Sequence, residues 1–421
     1  MNPPRRSVAQ RARGGVNLPA IGDYNERLVL DVIRRASDPT TRVEIIELTG
    51  LSPQTVSNIT RTLIGKGTIR EGEKQRHGGQ GKPRTTLELE SRSGYAIGVH
   101  VDPVQITYTL VDLVGVPLLV RSEATAEIDD PLATVDRIEA QTRELVNDAG
   151  IEWSRVLGVG IATPGPIDAV AGTVLDPPFL PRWRNVPLTS ELTARLGMPV
   201  LLDKDVVACA LAEAWRVGDS TTQNLAYIYA STGIGIGMIA DGGAVRGATG
   251  NAGDIGMLWV GGLDGRPPRP FSSALSPSDI CEHAQRRGLL GGREVHTHPR
   301  IARAALAELV ELADAGDRIA LDLLKEASEY LAAGIATIAN LLDVDDIYLG
   351  GFVGDVLALR YLEEICEFVD VSAVASHLEH PVTVRTSSLG VNAGAIGAAT
   401  IVLDDRLSPR PSTLSVEVPA T

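Results

Sequence analysis

The stretch from Thr41 to Arg84, TRVEIIELTGLSPQTVSNITRTLIGKGTIREGEKQRHGGQGKPR, constrains the fold of this chain more than any other. Ser52 is a favoured N-cap and Pro53 suits the first helical position, so a helix opens here. Val56, Ile59 and Leu63 recur at helical spacing and are expected to face inward. Gln54, Thr55, Asn58, Arg61 and Thr62 then fall on the outer side. Such side chains exchange hydrogen bonds with base edges, and Arg61 can reach a phosphate or a guanine. Val43 to Thr49 is a shorter helical pattern ending at Gly50, and helix, Gly-containing turn and polar-faced second helix together make a helix-turn-helix.

Thr68 to Arg70 and Thr85 to Leu89 read as two short strands joined by a basic, Gly-rich tip, Lys74 to Arg84. A hairpin after a recognition helix is a wing, whose Lys and Arg can follow a phosphate backbone or enter a minor groove. Ser52, Gln54, Thr55, Asn58, Arg61, Lys82 and Arg84 are the expected contacts to a double-stranded DNA operator. Charge agrees with this reading. Residues 1–90 carry 15 Lys and Arg against 10 Asp and Glu, and the remainder 24 against 43, so a head of +5 precedes a body of −19 within the overall −14. That asymmetry is expected when one domain meets nucleic acid and the other does not.

A chain of 421 residues has enough core for two or three domains without covalent staples. Cys209, Cys281 and Cys366 lie far apart and form neither a disulfide framework nor a CxxC metal pair, which fits a reducing cytoplasm. No apolar run approaches a membrane span, and the opening MNPPRRSVAQRARGG has no hydrophobic signal core. Residues 1–20 are expected to be a basic arm, 21–90 the winged helix-turn-helix with a first amphipathic helix over Asn25 to Ala36, and 406–421 a flexible tail. From Tyr95 the pattern changes to alternating strands and helices. Strands are expected at Tyr95–Val101, Ile106–Val111, Leu118–Arg121, Val156–Ile161, Val200–Leu202, Asn224–Tyr229, Ile236–Ala240 and from Ile347. Helices are expected at Pro131–Asp148, over Ile301–Leu342 with a break near Gly316, and at Ala393–Val402. This alternation argues for α/β architecture.

Five Gly-rich segments in this region stand in a telling order: IATPGPIDAVAGTV (161–174), PVLLDKDVVACALAEAWRVG (199–218), STGIGIGMIADGGAVRGATGNAGDIGM (231–257), IYLGG (347–351) and GVNAGAIGAA (390–399). Residues 95–405 thereby resemble the ROK family (repressors, open reading frames and kinases), a branch of the sugar kinase/actin-like fold. The resemblance implies a two-lobed body, with a small lobe at 94–198 plus 391–405 and a large lobe at 199–390. It also implies a sugar site built from Gly165, Lys204, Asp205, Asp254 and Met257. A winged helix in front is what family repressors have and family kinases usually lack.

The departures from the family pattern point the same way. The DxGGT phosphate loop of family kinases is matched here by His100-Val101-Asp102-Pro103-Val104. Proline offers no N–H to a phosphate and an added carboxylate repels one. Family members usually bind zinc through a CxCGxxGC cluster and the His of a GEIGH motif. Here that His is Met257 and residues 261–276 contain no Cys, so no zinc site is expected. His296 and His298 of HTHP read as a surface loop, with no metal partner nearby in sequence. Asp205 matches the catalytic base of family kinases, but Lys204 and Val207 replace the two Asn beside it and Asp254 replaces a Glu. Lys204 either pairs with an anionic ligand such as a sugar phosphate or sugar acid, or forms a salt bridge to Asp203, Asp205 or Asp254.

The expectation is therefore a cytoplasmic DNA-binding regulator, a repressor, whose catalytically inactive body senses a sugar or sugar derivative and holds a homodimer or homotetramer. No catalytic residues, cofactor or metal are expected. An active sugar kinase and a dimerising DNA-binding scaffold without effector are the alternatives, separated by ATP turnover and by a ligand screen.

Overall fold

A computed structural model describes residues 18–75, 84–125, 131–178, 180, 182–217, 224–261, 267–372 and 381–409. The chain forms two compact units, residues 1–91 with 404–421 and residues 92–403.

The first unit is built from α1 (Leu18–Arg35), β1 (Thr40–Thr41), α2 (Arg42–Thr49), α3 (Pro53–Gly65), β2 (Ile69–Gln75) and β3 (Arg84–Leu89), with an antiparallel sheet ordered β1-β3-β2. Local chemistry sets each boundary. Thr41 and Glu44 form a capping box at the start of α2, satisfying two N–H groups that the first turn leaves open. Gly50 ends α2 at φ 68° and donates its N–H to Ile46 O, a left-handed cap that glycine adopts without strain. Ser52 then caps α3 through Thr55 N, with Pro53 at its first position. Val29, Ile33, Ile45, Val56, Leu63, Ile69 and Leu87 fill the core.

Three expectations for this unit are corrected. Helix α1 begins at Leu18, taking residues 18–20 out of the expected arm; its first turns are largely exposed and so show no apolar period. Ile59 is only half-buried, and the fully buried neighbour is Thr60. Its hydroxyl accepts from Arg42 Nε and donates to Ser57 O, which satisfies the polar group inside the core. At the other end, residues 406 and 407, expected in the tail, close the last helix among the described residues.

The second unit opens with β4 (Tyr95–Val101), β5 (Gln105–Asp112), β6 (Pro117–Ala124), α4 (Pro131–Asp148), β7 (Val156–Thr163), β8 (Ile167–Asp168), β9 (Thr173–Val174), α5 (Leu188–Leu196), β10 (Val200–Lys204) and α6 (Asp205–Val217). It continues with β11 (Leu225–Ala230), β12 (Ile234–Ala240), β13 (Gly243–Ala244), β14 (Trp259–Val260), β15 (Arg269–Pro270), α7 (Phe271–Leu275), α8 (Pro277–Arg286), α9 (Pro299–Asp314), α10 (Arg318–Leu342), β16 (Asp346–Gly350), α11 (Phe352–Ser372, kinked at Tyr361), β17 (Thr383–Thr386) and α12 (Ala393–Leu407), whose residues from 404 on are counted with the first unit.

Two five-stranded sheets, ordered β10-β7-β4-β5-β6 and β13-β12-β11-β16-β17, repeat one plan. In each, antiparallel neighbours lead into two parallel strands reached by helical crossovers. Each sheet has its own apolar core, and a third cluster around α6 and α12 joins them. One boundary moves: Val200–Lys204, placed by sequence in the large lobe, pairs in parallel with β7 and belongs to the first sheet. The strand also runs two residues past Leu202, because Asp203 and Lys204 keep the ladder to Ala162 and Thr163.

Helix α12 lies on β4 and β7 with almost no gap. A Cβ at Gly98 would come within 1.9 Å of Ala395 O, and one at Gly160 within 1.7 Å of Ala398 O. We predict that Gly160→Ala lowers stability by about 1–3 kcal/mol or more, since backbone cannot move aside as a flexible side chain can. Gly65→Ala, with open space and a helical backbone, should be neutral or gain up to ~1 kcal/mol. Chemical denaturation midpoints of the two variants check the contrast.

Candidate functional sites

The outer face of α3 is a connected row of polar side chains. Gln54 Nε2 donates to Asn58 Oδ1 at 3.1 Å, and Arg61 Nη1 donates to the same oxygen at 3.3 Å. Gln54, Asn58 and Arg61 are exposed, as is Ser52, whereas Thr55 is half-buried with its hydroxyl 2.8 Å from Ser52 Oγ. Successive helical turns place these groups one above the other. Arg84 is exposed at the start of β3, opposite Gln75 of β2. Lys82 lies outside the described residues, as does most of the expected basic tip. Part of the basic charge of this unit is committed internally: Arg42 pairs with Glu71, Arg70 with Glu88, and Lys66 with Glu26.

The second unit contains a cavity of about 700 Å³ whose wall includes Gly165, Lys204, Asp205, Asp254 and Met257. Asp205 opens α6 immediately after β10, so the strand end presents it at the cavity floor. Its Oδ1 accepts from Val206 N at 2.8 Å. Burial pushes its carboxyl above the ordinary value, with His100 and Lys204 pulling the other way. Asp203, also buried, pairs with Arg246 at 2.6 Å; burial raises its carboxyl too, and the Arg246 charge only partly offsets this. Gly165 precedes a cis proline, Pro166, and its backbone lies against the Lys204 stem and Asn251. Asp254 and Met257 are exposed, Asp254 accepting from Gly256 N.

Of the two expectations for Lys204, the salt bridge to Asp203, Asp205 or Asp254 is not what the structure shows. Its Nζ donates to Ala252 O at 3.1 Å and Asn251 O at 3.4 Å, and among the described residues it makes no salt bridge. The buried ammonium is satisfied by backbone dipoles. Asn251 carries the contact onward: Oδ1 accepts from Ile167 N and Nδ2 donates to Ile167 O, clamping the Gly165 loop.

The loop after β4 is closed to anions. Asp102 N donates to Gln105 O, Pro103 has no N–H, and Val104 N donates to Asp102 Oδ1. His100 is buried, with its ring edge-on to Tyr229 and packed directly over Gly394. Its Nε2 has no hydrogen-bond partner among the described residues.

His296 is exposed in the turn segment before α9, as expected, and His298 is half-buried; both also line the cavity. His298 caps α9, its Nδ1 accepting from Arg300 N. His296 stands beside Glu282 at 3.5 Å. Ser272, Ser276 and Asp279 also reach the wall from α7 and α8. Sequence reasoning missed this group because its members come from separate elements with no motif spacing. The one local signal was the S-P-S-D cap at Ser276, which marks a helix and says nothing of a cavity.

The buried carboxyl of Asp205 gives a signed expectation. A carboxyl raised on folding costs stability above its folded value and costs nothing below its unfolded one. Asp205→Asn, which keeps the acceptor for Val206 N, should therefore raise the melting temperature at neutral pH, with the gain fading as pH falls toward about 4. Thermal melts of both proteins across that pH range check it.

Residues 118–405 match the ROK family model. A xylose repressor of Bacillus subtilis (strain 168) is 27% identical over 381 residues, covering 90% of this chain and 95% of the relative. The crystal structure of a ROK family transcriptional regulator, a homologue of the E. coli MLC protein, is similar with a TM-score of 0.70 at 22% identity, over 92% of this chain and 98% of its own. A ROK family glucokinase from Streptomyces griseus, in complex with glucose and AMPPNP, gives a TM-score of 0.59 at 27% identity, over 73% of this chain and 99% of its own.

Proposed function

Because the chain belongs to the ROK family, we propose that it is a transcriptional repressor that reads a DNA operator with its first unit and senses a sugar in the cavity of its second. The observation that carries the reading is the exposed Gln54–Asn58–Arg61 row on a helix capped by Ser52 and Pro53. Amide and guanidinium groups held in line on a helix face suit base edges in a major groove. The likeness to the xylose repressor and to the solved regulator extends over nine-tenths of the chain, that to the glucokinase over less than three quarters.

The cavity supports a sensing role without phosphoryl transfer. Asp205 and Asp254 offer acceptors for sugar hydroxyls, and Asn251, the serines of α7 and α8 and His298 stand around them. Xylose is the first sugar to test. Phosphoryl transfer depends on holding nucleotide phosphates in place. The N–H groups of Asp102 and Val104 are already spent and Pro103 has none. The family's zinc site does not fit these residues either. Met257 offers a weakly ligating thioether, and Cys281 is buried with its Sγ at 3.8 Å from Ala302 O. We further propose a homodimer, since two reading heads match a palindromic operator.

Two measurements test the reading. In fluorescence anisotropy with a specific operator, Asn58→Ala and Gln54→Ala should relax sequence preference at about 1–3 kcal/mol each, whereas Arg84→Ala should weaken all sequences and reduce the salt slope by about 1. Unchanged preference in both helix variants refutes the recognition face. In a thermal-shift series, a sugar that binds the folded state should raise the melting temperature. That shift should vanish in Asp205→Ala, and AMPPNP with Mg²⁺ should give none. A shift with nucleotide, or turnover of ATP, returns the chain to the kinases.

A further inference from the structure

Beyond the sugar reading, and independent of it, we infer that Asp279, Glu282 and His296 form a binding site for a single first-row divalent cation of the Zn²⁺ type at the rim of the cavity.

The three side chains come from two elements. Asp279 and Glu282 lie one turn apart on α8, at the spacing that puts both carboxylates on one face of a helix. His296 comes from the segment that leads into α9. One ligand atom from each lies within 4.8 Å of the other two. Bond lengths of about 2.0–2.2 Å from a shared centre need only small side-chain rotations to close from that spacing. Asp279 and Glu282 are half-buried and His296 is exposed, so an ion can enter from solvent.

The carboxylate of Glu282 is already oriented. Arg286 Nη2 holds Oε1 at 2.8 Å, which leaves Oε2 facing His296 at 3.5 Å. An outer group gripping one oxygen while the other is presented is the arrangement that positions ligating carboxylates at metal centres. Burial works differently for His298, whose Nδ1 is engaged by Arg300 N, so the neighbouring imidazole is not an equivalent ligand.

One imidazole and two carboxylates select against soft monovalent metals and suit Zn²⁺ and its neighbours. Three protein ligands leave at least one position open. Asp279 and His296 both line the cavity, so an ion there would have an open position within reach of water or of a hydroxyl of a bound molecule. The set shares no residue with the zinc cluster of the family, whose ligand positions are Met257 and the Cys-free segment 261–276.

The test uses the full chain, treated with chelator, dialysed and titrated with Zn²⁺ alone by calorimetry. One Zn²⁺ per chain is expected, with affinity reduced at least about 10-fold in Glu282→Gln and in His296→Ala and unchanged in His298→Ala. Absence of binding to the parent chain overturns the site. So does equal affinity in both ligand variants, as expected if thiols such as Cys366 took the ion, or loss confined to His298→Ala. Matching melting temperatures without metal will show that both variants remain folded.

Discussion

The seating of α12 on β4 and β7 is the contact on which the body depends. Helix carbonyls of Ala395 and Ala398 point at the backbone of Gly98 and Gly160, closer than any side chain would permit. The same helix presents Gly397 to the backbone of Ala208 in α6 and Gly394 to the ring of His100. A helix packed through small residues on one side to a sheet and on another to α6 fixes where α6 begins. It therefore fixes where Asp205 stands relative to the end of β4. Close packing of this kind transmits displacement, because interiors near crystal density have little room to absorb it.

The cavity is then a matter of how buried charge is accommodated. Asp203 and Lys204 sit side by side at the end of β10, yet their polar groups find different partners: Asp203 the Arg246 guanidinium, Lys204 two backbone carbonyls. Asp205, next in line, has only partial compensation, and burial raises its carboxyl. A buried carboxylate lining a cavity of ligand size is costly to the fold, and a hydroxyl donor reaching it would offset part of that cost. The loop after β4 shows the opposite: every N–H from Asp102 to Val104 is absent or spent inside the turn. A phosphate arriving there would find a carboxylate and a proline ring.

The first unit works on more local physics. Its helix boundaries come from caps within a few residues of each other, and its sheet from one hairpin with a short third strand. Hence the two helices and their caps between Thr41 and Gly65 were legible in the sequence, whereas β2 runs on to Gln75, five residues past the expected Arg70, and Thr60 is a polar residue buried through its bond to Arg42.

What the sequence by itself determined is what depends on neighbours along the chain: the capped helix α3, many of the strand and helix segments of the body, and the ROK pattern carried by five glycine-rich runs. It also showed that the phosphate loop is lost, because proline lacks an N–H in any fold. Tertiary structure alone decided matters that depend on residues far apart in the chain. Strand β10 joined the first sheet because its ladder partner is β7. Lys204 turned to carbonyls some 48 residues away rather than to the aspartates beside it. His296, without a metal partner nearby in sequence, met Glu282 and Asp279 only because the chain returns past α8 before α9 begins. Side-chain charge and hydrogen-bonding capacity are properties of the residue, but their partners are properties of the packing.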